Sequence, residues 1–208
     1  APGVEMPGAL VGEKVLRSNR RGSAEIAGHT GAALGSGTAS IRGQAYLTAP
    51  HAQTTILTDP DATGLRLAAA SQADDTALGR YDLVVDMPNH TIGFVGGPTI
   101  TFTGTETNLR VPNATGDFIC VDVSAMNGAL AAPATVTVQS DAYLSLGGGD
   151  AVAVTDFTDP NLAVTDPDGG VLYVNTAGLA RVGTDSVRAA GTFDIFQALI
   201  LTRDALLN

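Results

Sequence analysis

The sequence of 208 residues contains no tryptophan and one cysteine, and only 5% of its residues are aromatic. A single thiol, Cys120, cannot form an internal disulfide, which excludes the disulfide-stabilised scaffolds. No apolar run approaches the ~18 residues that a membrane-spanning helix needs. The opening residues also lack the basic start and apolar run of a cleavable signal peptide. We therefore expect no membrane partner and no cleaved leader.

Positive charge is scarce as well. Lys14 is the one lysine, and a net charge of -10 leaves the chain strongly acidic. A surface of this sign repels the phosphates of nucleic acids and of anionic lipids. The sequence therefore predicts that nucleic acid is not a partner.

Recognisable catalytic and metal-binding motifs are missing from the sequence. The three histidines, His29, His51 and His90, lie in separate segments without the spacing of a zinc site. Cys120 lies in "DFICVDVS" with no histidine nearby, so the pattern favours a small buried side chain over a nucleophile. We expect no enzymatic activity and no cofactor.

Three Asp-Pro segments form an irregular internal echo: "TDPDATG", "TDPN" and "TDPDGG". Oxygen-rich loops can bind calcium, but Asp-Pro sequences also form turns for backbone reasons alone. Turn formation is the favoured interpretation, and a calcium site remains the alternative. The residues concerned are Asp59, Asp61, Asp156, Asp159, Asp166 and Asp168.

The fold class follows from the many short apolar segments separated by turn residues. The chain is 44% hydrophobic, with 25 glycines and 10 prolines, and alternating segments recur from Tyr81 onward. Such a pattern is typical of an antiparallel β-sandwich or barrel. The pair Gly96-Gly97 predicts a hairpin turn. "TAGLARVGTDSVRAAG" reads as a loop or a weak strand.

The chain is expected to divide into a β-rich domain, residues 1–190, and an amphipathic helix, residues 191–208. The β-rich part could itself form two subdomains, about 20–125 and 126–190. The helix has Thr192 as a fair N-cap and an apolar stripe that must be covered, either by the β-rich domain or by another helix outside this sequence. The stripe consists of Phe193, Phe196, Leu199, Ile200 and Leu206. Because no residue signals the end of the helix, we expect it to continue in a longer protein.

The closing block "GTFDIFQALILTRDALLN" resembles flagellin-family proteins, in particular the hook-associated type at the hook–filament junction. In that family a β-rich outer domain interrupts a helical rod, and the chain re-enters the rod with a pattern like G-T-x-x-I/L-F-x-x-L-I-x-x-R-D-x-L. The matching positions are Gly191, Thr192, Phe196, Leu199, Ile200, Arg203, Asp204 and Leu206.

The resemblance implies a structural, non-catalytic, surface-exposed domain of the bacterial flagellum. Its partners would be hook and filament proteins, with self-association through rod helices missing from this sequence. The location would be extracellular, after export through the flagellum without a cleaved signal peptide. An inserted domain also requires its two flanking segments to lie at one end. The alternative is a secreted β-sandwich module that binds glycan or calcium.

Overall fold

The computed structural model describes residues 24–58, 60–69, 74–126, 128, 132–189 and 203. Within them the chain forms fifteen β-strands and one short helix, α1 (Pro60–Thr63). The first strands are β1 (Ala24–Ala27), β2 (Ala33–Leu34), β3 (Gln44–Ala49), β4 (His51–Ile56) and β5 (Arg66–Leu67). The middle strands are β6 (Gly79–Asp86), β7 (Thr91–Phe94), β8 (Thr99–Thr101), β9 (Leu109–Pro112) and β10 (Phe118–Asp122). The last are β11 (Ala134–Leu146), β12 (Val152–Val154), β13 (Leu162–Thr165), β14 (Val171–Asn175) and β15 (Gly183–Ala189).

These strands form three sheets, and every strand pair in the described residues is antiparallel. The largest has nine strands in the order β1-β15-β3-β11-β6-β7-β8, with β4 and β12 also paired to β11. One of the sheets curls into half a barrel. Two sheets of three strands, β5-β10-β9 and β13-β14-β2, complete the fold. The prediction of a mainly β, antiparallel fold is confirmed. The predicted C-terminal helix lies outside the described residues.

Strand β11 is the centre of the large sheet. It is 13 residues long, with β3 and β4 along one edge and β6 and β12 along the other. Its even-numbered side chains from Val136 to Leu146 are buried, because alternate residues of a strand face the same side. The strand runs without a break through the polar pair Ser140-Asp141. A register shift opposite β4 accommodates Asp141, whose carboxylate accepts bonds from Gln53 and Gln139.

The buried side chains form two clusters. The basal core is built around the strands at which the described chain begins and ends; it comprises Ala24, Ile41, Leu47, Ala49, Leu78, Ala142, Leu144, Leu146, Val154, Val164, Leu172, Val174, Leu179 and Val187. The distal core involves strands that lie beyond β11, on the side away from β1 and β15. It comprises Leu65, Ala77, Leu83, Val85, Ile92, Phe94, Phe102, Val111, Ile119, Val121, Val123, Val136 and Val138.

The stretch of chain that forms the distal core lies between the two parts of the chain that supply most of the basal core. The basal core takes its residues from both ends of the described chain, whereas the distal core takes its residues from one continuous stretch, 65–138. Both cores draw on β11, which follows residue 126. The division of the β-rich part near residue 126 stays a prediction, and the packing alone would place the distal unit inside the basal one.

Two local expectations have different outcomes in the structure. The hairpin at Gly96 is present, with β7 and β8 paired and Gly96 at a positive φ of 77°, which glycine adopts without strain. The segment expected to be a loop or weak strand instead contains β15, which is paired along both edges. Its buried Asp185 made the segment look polar, although that carboxylate is fully hydrogen-bonded inside the domain.

Candidate functional site

The first and last described strands, β1 and β15, are neighbours in the large sheet. Ala24 is the register partner of Ala189, and Ile26 is the partner of Val187. Paired residues of antiparallel strands have Cα atoms about 4.5–5.5 Å apart. The chain on either side of the described domain therefore continues from two adjacent positions on one sheet, and we call this pair the entry–exit point.

A buried hydrogen-bond network fixes the turn that follows β1. Asp185 accepts bonds from the backbone N–H of His29 at 2.9 Å, from the backbone N–H of Thr30 at 3.2 Å and from the Thr30 hydroxyl. Thr30 and Asp185 are each 1% exposed. A Cβ atom at Gly28 would lie 1.8 Å from the Asp185 carboxylate, so only glycine fits beside it. The network holds β1 against β15 and thereby positions the entry–exit point.

The predicted assembly stripe, Phe193, Phe196, Leu199, Ile200 and Leu206, lies outside the described residues, and its role stays a prediction. Of the segment 191–208 the structure describes only Arg203. What the structure adds is the origin of that segment, which continues from β15 beside β1.

The three histidines occupy separate environments. The backbone N–H of His29 belongs to the Asp185 network, His51 is nearly buried beside Asp75, and the His90 ring packs edge-on against Phe102 with centroids 5.7 Å apart. Across the described part of the chain there is no group of three metal-ligating side chains that could hold a metal ion.

The acidic turns use their carboxylates to fix the backbone. Asp156 accepts bonds from the N–H and hydroxyl of Thr158, and Asp159 accepts one from the N–H of Asn161 at 2.8 Å. Asp166 accepts bonds from the N–H groups of residues 168 and 170. The hydrogen bond from the Thr158 hydroxyl, and to a smaller extent the one from the Thr158 N–H, hold the pKa of Asp156 below its ordinary value. This geometry is that of Asx turns. Asp59 and the side chain of Asp61 lie outside the described residues.

A buried polar cluster lies where β4, β10 and β11 meet. The Thr54 hydroxyl donates to Asp75, whose other oxygen accepts the N–H of Cys120 at 2.7 Å. Because the one hydroxyl proton of Thr54 is used in this way, the bond of 2.9 Å to His51 requires the imidazole Nε2–H to donate. Ser140 completes the cluster 3.3 Å from Thr54.

The chemistry of this cluster is structural. Burial raises the pKa of the Cys120 thiol to about 11, with a smaller contribution from the negative charge of Asp75. A thiol with this pKa is protonated at neutral pH, and the thiolate is the nucleophilic form. Cys120 is also 0% exposed. No sequence signal indicates the cluster, since its residues are far apart in the chain and belong to no motif.

Comparisons with known proteins extend the sequence interpretation no further. A scan against protein-family models, a search of curated proteins and a search of solved structures each found no match. Within the described part of the chain, none of the helices combines the length and the hydropathy of a membrane-spanning segment.

Proposed function

We propose that this chain is the surface-displayed, non-catalytic β domain of a flagellin-like subunit of the bacterial flagellum, at the hook–filament junction or in the filament. The observation that supports this most is the entry–exit point, where Ala24 and Ala189 are register partners. A domain inserted into a helical rod must leave the rod and return to it at one place.

The connection between domain and rod is firm in this proposal. The antiparallel pairing of β1 with β15 spans four residue pairs, and β15 is paired again with β3. The Asp185 network adds three buried bonds beside it. A β domain tied in this way projects from its support as one body, which suits a surface appendage better than a flexible tether would.

The non-catalytic part of the proposal rests on the state of the buried polar groups. The buried side-chain polar atoms of the described residues all have hydrogen-bond partners. The most reactive side chain by type, Cys120, is protonated and enclosed. Groups satisfied in this way stabilise the fold.

Location is the direct test of this proposal. An antibody raised against residues 24–189 should label isolated flagella of the source cells in immunogold electron microscopy, at the junction or along the filament. Cells that lack the gene provide the control. Labelling of the cell body or the medium without the flagellum would contradict the proposal.

Assembly gives a second test, on the predicted helix stripe. Leu199→Asp in the full-length subunit should abolish its incorporation, because a buried leucine contributes about 1.5–3 kcal/mol and a charge in its place adds a desolvation penalty. Gln197→Asp is the matched control, because Gln197 lies off the apolar stripe of the predicted helix, and this variant should assemble. Immunoblots of purified flagella measure both. Normal incorporation of the Leu199 variant would show that the stripe is not an assembly surface.

A further inference from the structure

The outer face of the large sheet has an open, charge-poor area around Tyr46. Leu47 and Ala49 face the basal core, so the alternate residues Gln44, Tyr46 and Thr48 face outward on β3. On β15 the outward residues that pair with these are Arg188, Ser186 and Thr184, in that order. We call Gln44, Tyr46, Thr48, Ser186 and Arg188 the tyrosine face.

Tyr46 is the most prominent side chain of this face. It is 57% exposed, and its hydroxyl has no hydrogen-bond partner in the described part of the chain. On the flank away from β15, the neighbour of Tyr46 is Gly147, whose N–H donates to the Tyr46 carbonyl at 2.8 Å. Glycines continue through positions 148 and 149. The ring is therefore bordered on one side by backbone without side chains, which leaves room for a ligand beside it.

The other side of Tyr46 carries hydrogen-bonding groups. The Gln44 amide donates to the Ser186 hydroxyl at 3.3 Å, which leaves the amide oxygen to accept from a ligand. Arg188 is the register partner of Gln44 and is exposed. An aromatic ring next to amide, hydroxyl and guanidinium groups combines apolar contact with directional hydrogen bonding, as ligand sites for polar organic molecules do.

The net charge of the chain and the few charges on the tyrosine face restrict which class of ligand can bind there. The chain carries a net charge of -10, yet the tyrosine face contains one cation and no acid, with Glu25 beside Arg188 at its rim. A strongly acidic chain repels anionic ligands and a second copy of itself. A neutral ligand rich in hydroxyl groups meets no such repulsion and matches the groups present.

We propose that the tyrosine face binds a neutral carbohydrate. The Tyr46 ring supplies the flat surface for the C–H face of a sugar ring, and Gln44, Ser186 and Arg188 hydrogen-bond to its hydroxyl groups. The inference is independent of the flagellar proposal, since it rests on the described face alone. Binding to one shallow surface should be weak, with a dissociation constant of about 1 mM.

The test uses the chain in solution with three neutral probes, a gluco-, a manno- and a galacto-hexasaccharide. Titration of the ¹⁵N-labelled protein should shift the amide signals of Gln44, Tyr46, Ser186 and Arg188 with at least one sugar. Tyr46→Ala should weaken binding by about tenfold or more, and Tyr46→Phe, which keeps the ring, should bind within about threefold of the parent. A dispersed spectrum from each variant confirms that it is folded.

Val95 provides the control, because it is also exposed, at 63%, on the same sheet but beside the far end of β11 from Tyr46. Val95→Ala should bind as the parent does. The proposal is overturned if none of the three sugars shifts the spectrum, or if Tyr46→Ala binds as well as the parent. Sedimentation that shows a dimer dependent on Tyr46 in the absence of sugar would also overturn it, because the face would then serve a second copy.

Discussion

The basal and distal cores are similar in chemistry and different in origin. Both are mainly aliphatic, but among the described residues the buried phenylalanines, Phe94 and Phe102, belong to the distal core. The distal core comes from one stretch of chain, whereas the basal core needs residues such as Ala24 and Val187 from opposite ends. Bringing distant segments together costs loop-closure entropy that a local cluster does not pay in full. We infer that the distal core can form first and that the basal core closes around it.

The largest expected effect separates the two cores directly. Leu83→Ala in the distal core and Leu47→Ala in the basal core each remove a fully buried side chain and should each cost about 2–5 kcal/mol of unfolding free energy. Native-state hydrogen exchange should show loss of protection in both cores for Leu83→Ala, and mainly in the basal core for Leu47→Ala. An equal loss in both cores for both variants would show that they unfold as one unit.

The next effect concerns the closure of the basal core. Asp185→Ala leaves the buried donors of His29 and Thr30 without their acceptor, and we expect a loss of about 3 kcal/mol of unfolding free energy. Asp168→Ala is the matched control: that side chain is exposed, and its loss should change stability by less than about 0.5 kcal/mol. Urea denaturation measures both. Equal stability of the two variants would show that the Asp185 network does not stabilise the basal core.

Cys120 can report on the distal core without disturbing it. The thiol lies between Ile119 and Val121, and its pKa of about 11 and its burial should make alkylation at pH 8 slow in the folded protein. Leu83→Ala should accelerate alkylation by about tenfold or more, because a loss of 1.4 kcal/mol raises the open population tenfold. The urea-unfolded chain gives the rate of a free thiol. Labelling of the folded protein at that rate would contradict the buried position.

The smallest effect is a pH dependence in the loop before β9. Glu106 accepts bonds from the N–H groups of Thr103, Gly104 and Thr105, and from the Thr103 hydroxyl. These bonds, led by the Thr103 N–H, lower the pKa of Glu106 to about 2 from a usual 4.5.

The stabilising contribution of Glu106 is therefore present above pH 4.5 and is lost as the pH falls through about 2. Carbon-detected NMR titration should give the low pKa directly. In Glu106→Gln the amide signals of residues 103–105 should no longer follow that titration. A Glu106 pKa near 4.5 would show that the carboxylate is not bound by the loop.

The sequence predicted what depends on local pattern. Alternation and turn residues indicate the antiparallel class and the Gly96 hairpin, and the Asp-Pro turns at 156–161 and 165–170 have the backbone role that the pattern favours. Features that depend on long-range partners escaped it. Ser140 and Asp141 have partners on another strand, Thr54 and Gln53, which become apparent only once β11 and β4 are paired. Asp185 looked like a loop residue for the same reason. The buried position of a polar side chain is decided by acceptors and donors that no local window contains.

The pairing of Ala24 with Ala189 has a consequence for how such a chain can evolve. If the domain is inserted in a rod as we propose, a module joined to its host through two neighbouring residues can be exchanged, enlarged or removed by recombination while the host backbone stays closed by a short turn. Residues on the outer surface can then change without any change in the residues at the junction. Lineages sharing one host could carry modules of quite different sequence, each inheriting only the spacing of a few ångströms at its base.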